Sequence, residues 1–218
     1  MRIAGGEWGG RLLKTPPGDK IRPTQDRVRE ALFSMLAAQI PGSVWIDLCA
    51  GSGAVGLEAL SRGAARVTWV EKNPLNARLI AENASALGGV AAPAPPPGRG
   101  MLHAARNARR SQPLPAFPLP ARAPGSELVV ADATTWLGSG GCGRQADVLY
   151  ADPPYELVRE RGYAAWLQLA AKGNVVRENG IFIGEMPQVC RAEEVAGWAL
   201  ERDRLYGKTR ICIWRREA

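Results

Sequence analysis

Short apolar runs alternate with amphipathic stretches along most of this chain, and few folds accommodate that order. Val44–Leu48 and Glu127–Val130, with 66–70, 148–151 and 180–184, have strand length and are mostly apolar, so they read as buried strands. Helical signals separate them. Thr24 is an N-cap candidate with Asp26 in the first turn, and Val28, Ala31, Leu32, Met35 and Leu36 follow the helical period up to Pro41-Gly42. Ala54–Ser61 is a second helix. Asn73 caps a third that starts on Pro74 and runs to about Leu87, and 163–172 is another. Trp198–Tyr206 and 209–215, joined at Gly207-Lys208, form a closing hairpin. The prediction is an α/β fold: a mostly parallel seven-stranded sheet, helices on both faces, and an antiparallel C-terminal hairpin. Ligands in such sheets bind beyond the C-terminal ends of the strands.

With 218 residues the chain has room for one such domain. Residues 1–42 are expected to be an N-terminal extension with a capping helix, and 43–218 the main domain. The alternation stops at 88–126, which holds nine of the 17 prolines, five arginines and no acid. That composition reads as a disordered insertion, a tolerated surface loop rather than an arm that grips RNA. The formal net charge of +7 points to a polyanionic partner, but removing those five arginines leaves +2, so the excess belongs to one segment.

The first strand leads into Asp47-Leu48-Cys49-Ala50-Gly51-Ser52-Gly53-Ala54-Val55-Gly56. Glycines there allow a sharp turn into a helix and close approach of a ligand. Glu71, at the end of the second strand, is placed to accept both hydroxyls of a ribose. Gly51, Gly53 and Gly56 formally match the dinucleotide fingerprint as well. Asp47 separates the two cofactor classes. An acid so close to the loop repels a pyrophosphate but attracts the cationic amino acid end of S-adenosylmethionine. Ala50, Gly51, Ser52 and Gly53 then form the cofactor loop. Asp132 can accept from an adenine amino group, with the backbone of Ala133 at the ring edge. Asp132 can also serve as the N-cap of a short helix from Ala133 to Leu137.

The fourth strand ends in Asp152-Pro153-Pro154-Tyr155. Asp152 and the carbonyls around Pro153 can accept hydrogens from an amino group, proline brings no competing N–H, and Tyr155 offers a ring for stacking. Such a cup suits a planar group bearing NH2. A guanine N2, an adenine or cytosine amine in DNA, or a protein glutamine amide would all fit it. His103 is the only histidine and lies in the insertion, so histidine-based acid–base chemistry and histidine metal sites are not expected, and no metal is assigned. Cys49, Cys142, Cys190 and Cys212 are scattered, which favours a reducing cytoplasm. No apolar stretch has the length of a membrane span, and the first residues lack the apolar core of a signal peptide. A nicotinamide oxidoreductase is disfavoured by Asp47, and a non-catalytic RNA-binding module leaves both strand-end motifs without a purpose.

Asp47 to Gly53, Glu71, Asp132 and the Asp-Pro-Pro-Tyr motif resemble class I S-adenosylmethionine-dependent methyltransferases that modify exocyclic nitrogens. Further stretches narrow the resemblance. Arg2-Ile3-Ala4-Gly5-Gly6, Gly10-Arg11, the run from Arg22 to Phe33, Leu57 to Ala64, and Gly207-Lys208-Thr209 are similar to the RsmD family. The resemblance covers nearly the whole chain outside the insertion. It implies a Rossmann-like fold and transfer of methyl from S-adenosylmethionine to N2 of one guanine in 16S ribosomal RNA of the small subunit, leaving S-adenosylhomocysteine. It also implies a cytoplasmic enzyme, expected to be monomeric. Arg22, Thr24 and Arg27 are lid or RNA-contact candidates, and Arg2, Arg11 and Arg29 are expected to touch phosphates.

Overall fold

A computed structural model describes residues 1–16, 23–88 and 126–218. Among these residues the strands are β1 (Val44–Leu48), β2 (Arg66–Glu71), β3 (Glu127–Val130), β4 (Ala146–Ala151), β5 (Val176–Pro187), β6 (Trp198–Tyr206) and β7 (Thr209–Arg216). They form one sheet in the order β3-β2-β1-β4-β5-β7-β6. The first five strands pair in parallel, while β7 runs antiparallel between β5 and β6. The α-helices are α1 (Pro23–Met35), α2 (Ala54–Ser61), α3 (Pro74–Gly88), α4 (Ala133–Gly138), α5 (Tyr155–Arg161) and α6 (Ala164–Lys172). The predicted fold class is therefore the observed one. Residues 89–125, almost all of the expected insertion and including His103, lie outside the described residues.

Two-residue alternation along the parallel strands divides the core between the sheet's faces. On one face Trp45, Val67, Trp69, Val148, Tyr150, Ile181 and Ile183 pack with Leu32 and Phe33 of α1 and Ile80 of α3. On the other, Ile46, Leu48, Leu149, Ala151 and Phe182 pack with Tyr163, Trp166 and Trp214. Phe33 stacks on Trp45 at a centroid distance of 5.3 Å. Ile3, Trp8 and Leu13 of the N-terminal segment are buried in the first of these cores.

Glu58 on α2 fastens that segment. Its side chain is fully buried, and its carboxylate accepts from the Ala4 and Gly5 amides at 2.7 and 2.8 Å and from Arg62 Nε at 2.8 Å. Arg29 Nε forms an ion pair with it at 3.5 Å. Arg29 is only 6% exposed, and its guanidinium also donates to the Arg2 carbonyl and to Asp26 at 3.1 Å. The expectation that Arg29 touches phosphate is therefore corrected: its charge is spent inside the protein. Ser61 completes the clasp, accepting from the Trp8 amide and donating to the Gly5 carbonyl.

Three further elements depart from expectation. α1 starts at Pro23, so Thr24 sits within its first turn instead of capping it. A helix begins at Tyr155, directly after the two prolines, although Val158 is its one buried residue. β5 spans 12 residues rather than the central five: Val176 pairs with Ala146 across a register shift, and Glu185 to Pro187 pair with β7.

Candidate active site

Every parallel strand delivers an acid to the same end of the sheet. Asp47 lies in β1, Glu71 ends β2, Asp132 follows β3, Asp152 follows β4, and Glu185 lies near the end of β5. A cleft of about 1040 Å³ opens there, lined by Glu71, Asp132, Asp152 and Glu185 with the Pro153-Pro154-Tyr155 turn. Of the candidates, Gly51, Glu71, Asp132, Ala133 and the Asp-Pro-Pro-Tyr motif thus share this space, whereas Asp47, Ala50, Ser52 and Gly53 do not line it. Among the described residues, six carboxylates line it against one basic residue, Lys72. That balance disfavours a pyrophosphate and suits a cationic ligand rich in hydrogen-bond donors.

The glycine loop is shaped by what lies under it. Gly53 has φ 77°, the left-handed region that glycine tolerates, and its carbonyl accepts from Trp69 Nε1 at 3.3 Å. A Cβ on Gly56 would stand 2.3 Å from that same indole nitrogen. Packing on Trp69 therefore accounts for glycine at two of the three fingerprint positions, Gly53 and Gly56. Glu71 braces the loop from the cleft side, accepting from the Gly51 amide at 2.8 Å and the Asn73 amide at 2.7 Å. Asn83 of α3 donates to the Ser52 carbonyl at 3.0 Å. Ala50 and Ser52 line a smaller cavity of about 140 Å³ behind the loop.

Asp47 sits beneath the loop, 1% exposed, with Oδ2 accepting from the Gly56 amide at 3.0 Å. It lines the smaller cavity, not the main cleft. Burial pushes its carboxyl up from 3.8 to about 8, against the pull of the Gly56 amide. A folded-state value above the unfolded one means that this group's contribution is complete below pH 3.8 and lost as pH rises through about 8. Melting temperature is therefore expected to fall between pH 5 and 8.5. Asp47→Asn keeps an acceptor for Gly56 and should flatten that slope by up to about 1.4 kcal/mol per pH unit. Thermal melts across this range provide the check, and identical slopes would contradict the assignment.

Asp132 takes the N-cap role, its Oδ1 accepting from the Thr134 and Thr135 amides at 3.1 Å, and it still lines the cleft beside Ala133. Tyr155 is held by its hydroxyl, 3.1 Å from Thr209 Oγ1 and 3.4 Å from Glu185 Oε1. Cys49 also reaches the cleft, but burial and then the surrounding carboxylates push its thiol up to about 12, so it stays neutral. Arg27 is exposed on α1, whereas Arg22 and the Thr24 side chain lie outside the described residues. Sequence reasoning missed Glu185. The signal was an acid at the end of an apolar run, in the same place as the other strand-end acids.

Residues 1–95 match the family model described as conserved hypothetical protein 95. The chain is 30% identical over 225 residues to the Escherichia coli ribosomal RNA small subunit methyltransferase D, covering all of this chain and 91% of that one. It is 26% identical over 217 residues to Bacillus subtilis YlbH, covering 99% of both. The solved structure of Escherichia coli yhhF superposes with a TM-score of 0.72 at 27% identity, covering all of this chain and 98% of the other. An acid-rimmed cleft on this sheet order, together with full-length identity to the Escherichia coli enzyme, places the chain: it belongs to the RsmD family of methyltransferases.

Proposed function

We propose that this enzyme transfers a methyl group from S-adenosylmethionine to the exocyclic N2 of a guanine in 16S ribosomal RNA of the small subunit, in the cytoplasm. The observation that carries the reading is the opening of Asp152-Pro153-Pro154-Tyr155 into the same cleft as Glu71 and Gly51 of the glycine loop. S-adenosylmethionine fits the cleft by its positive charge and its donors: Glu71 for the ribose hydroxyls, Asp132 and the Ala133 backbone for the adenine edge, and the loop around Gly51 for the amino acid end. When bound it supplies an electrophilic methyl group. The chain's own residues do the rest. The guanine N2 lone pair is delocalised into the ring and is a poor nucleophile. Asp152 and the Pro153 carbonyl accept its two hydrogens, which favours a pyramidal nitrogen whose lone pair is withdrawn from conjugation and aimed in one direction. Tyr155 stacks on the extruded base, its ring steadied through the hydroxyl contacts to Thr209 and Glu185. Asp152 takes the proton that the methylated nitrogen sheds. Exposed Arg2, Arg11 and Arg27 are the described candidates for phosphate contact.

Tritiated methyl transfer from S-adenosylmethionine to small subunits that lack the modification tests this directly. The labelled nucleoside is expected to be N2-methylguanosine. A labelled adenosine or cytidine derivative, or no label in RNA, would refute the substrate.

A further inference from the structure

The sheet brings two carboxylates side by side where the reaction is proposed to occur. Parallel register pairs Ala151 with Gly184, so the next rung sets Asp152 beside Glu185. Alternation puts both on the face of Tyr150 and Ile183. The Tyr163 hydroxyl clamps the rung, 2.9 Å from the Ala151 carbonyl and 2.8 Å from the Glu185 carbonyl. Both carboxylates line the main cleft and the smaller cavity behind it.

Their surroundings differ in one respect. Glu185 is 7% exposed and accepts at both oxygens, from Tyr150 at 2.8 Å and Tyr155 at 3.4 Å. Among the described residues no side chain donates to the Asp152 carboxylate, which keeps some access to the cleft. Two adjacent acids in such a place do not both ionise readily. Burial, then Glu185 and Asp47, hold Asp152 well above the carboxylate range. Burial raises Glu185 too, while the hydroxyls of Tyr150 and Tyr155 pull it back. Burial and the nearby carboxylates likewise push Tyr150 up, so it remains a donor.

Among the described residues, the other groups that face the pair do not neutralise it. Asp47 on β1 adds like charge when ionised, and the Cys49 thiol stays neutral. The hydroxyls of Tyr155 and Tyr163 are raised by burial and stay protonated. Arg29 of α1 lines the smaller cavity, but its guanidinium is engaged by Asp26, Glu58 and the Arg2 carbonyl. Lys72 is at the cleft's exposed rim.

We propose that Asp152 carries a proton beside an ionised Glu185 in the free protein, and that a cationic ligand entering the cleft displaces this proton to water. Asp152 then becomes an acceptor for the amine only when the site is loaded. The inference rests on the methyl-donor reading: the donor's sulfonium is the cation, and its demethylated product lacks that charge. A positive charge within a few ångströms lowers a carboxylate's pKa by roughly one to three units, which favours loss of the Asp152 proton. Glu185 is the positioning residue here, acting through Asp152.

Calorimetric titration with S-adenosylmethionine at pH 7.5, repeated in buffers of different ionisation enthalpy, counts the protons released. Up to about one proton per site is expected, with markedly fewer for S-adenosylhomocysteine. Glu185→Gln keeps an acceptor for the tyrosines but removes the like charge, and should move the pH midpoint of release down by roughly one unit or more. Asp152→Asn should abolish release while binding and a cooperative melt persist. Binding without proton release in the parent protein, or an unchanged midpoint in Glu185→Gln, overturns the proposal. Failure of S-adenosylmethionine to bind at all would instead overturn the methyl-donor reading.

Discussion

Asp152→Ala is expected to lower methyl transfer by roughly 10²–10³-fold or more while S-adenosylmethionine still binds. Asp152 follows the last residue of β4, and the two prolines after it hold the turn that faces the cleft. Alanine leaves that backbone in place and removes only the group that accepts the amine's hydrogen and its proton. The loss should therefore fall on turnover, because the guanine nitrogen would keep its lone pair delocalised into the ring. Single-turnover transfer of labelled methyl, with calorimetry of cofactor binding alongside, separates the two effects. Near-normal turnover in the folded variant would remove Asp152 from the chemistry.

Glu58→Ala is expected to cost about 3–5 kcal/mol of unfolding free energy, through a charge left without its partner. The wild-type carboxylate is fully buried and collects two backbone amides, Arg62 and Arg29. Removing it strands the Arg29 guanidinium, itself 6% exposed, with one remaining carboxylate partner, Asp26. Denaturant unfolding measures the loss. A change below about 1 kcal/mol would mean that water or a rearranged Arg29 replaces the network.

The sheet was readable because β1 to β4 are buried on both faces, and that leaves an apolar run with recognisable ends. Asp152 and Glu71 were readable because strand-end acids beside prolines or a glycine loop have few structural explanations. Asp47 was expected to attract the amino acid end of a cofactor, yet it lies buried beneath the loop with the Gly56 amide as its partner, a bond that no spacing rule specifies. Glu185 escaped notice because its significance arises from register: β4 and β5 are adjacent in the sheet but about thirty residues apart in the chain. Helix α5 was missed for a related reason. Pro153-Pro154 reads as a stop, yet Pro154 is extended, at φ −50° and ψ 136°, and serves as the N-cap of a new helix. Arg29 was misassigned because an arginine in a helix gives no sign that a glutamate on another helix will bury it.

The Glu58 clasp also sets an order of events during synthesis. Residues 4–8 leave the ribosome early, yet the groups that hold them, Glu58 and Ser61, come 53 or more positions later. At about 5–20 residues per second, the N-terminal segment waits for several seconds with Ile3 and Trp8 uncovered. A segment made well before its partners is thus secured only after them, and α2 is the element whose arrival ends the wait.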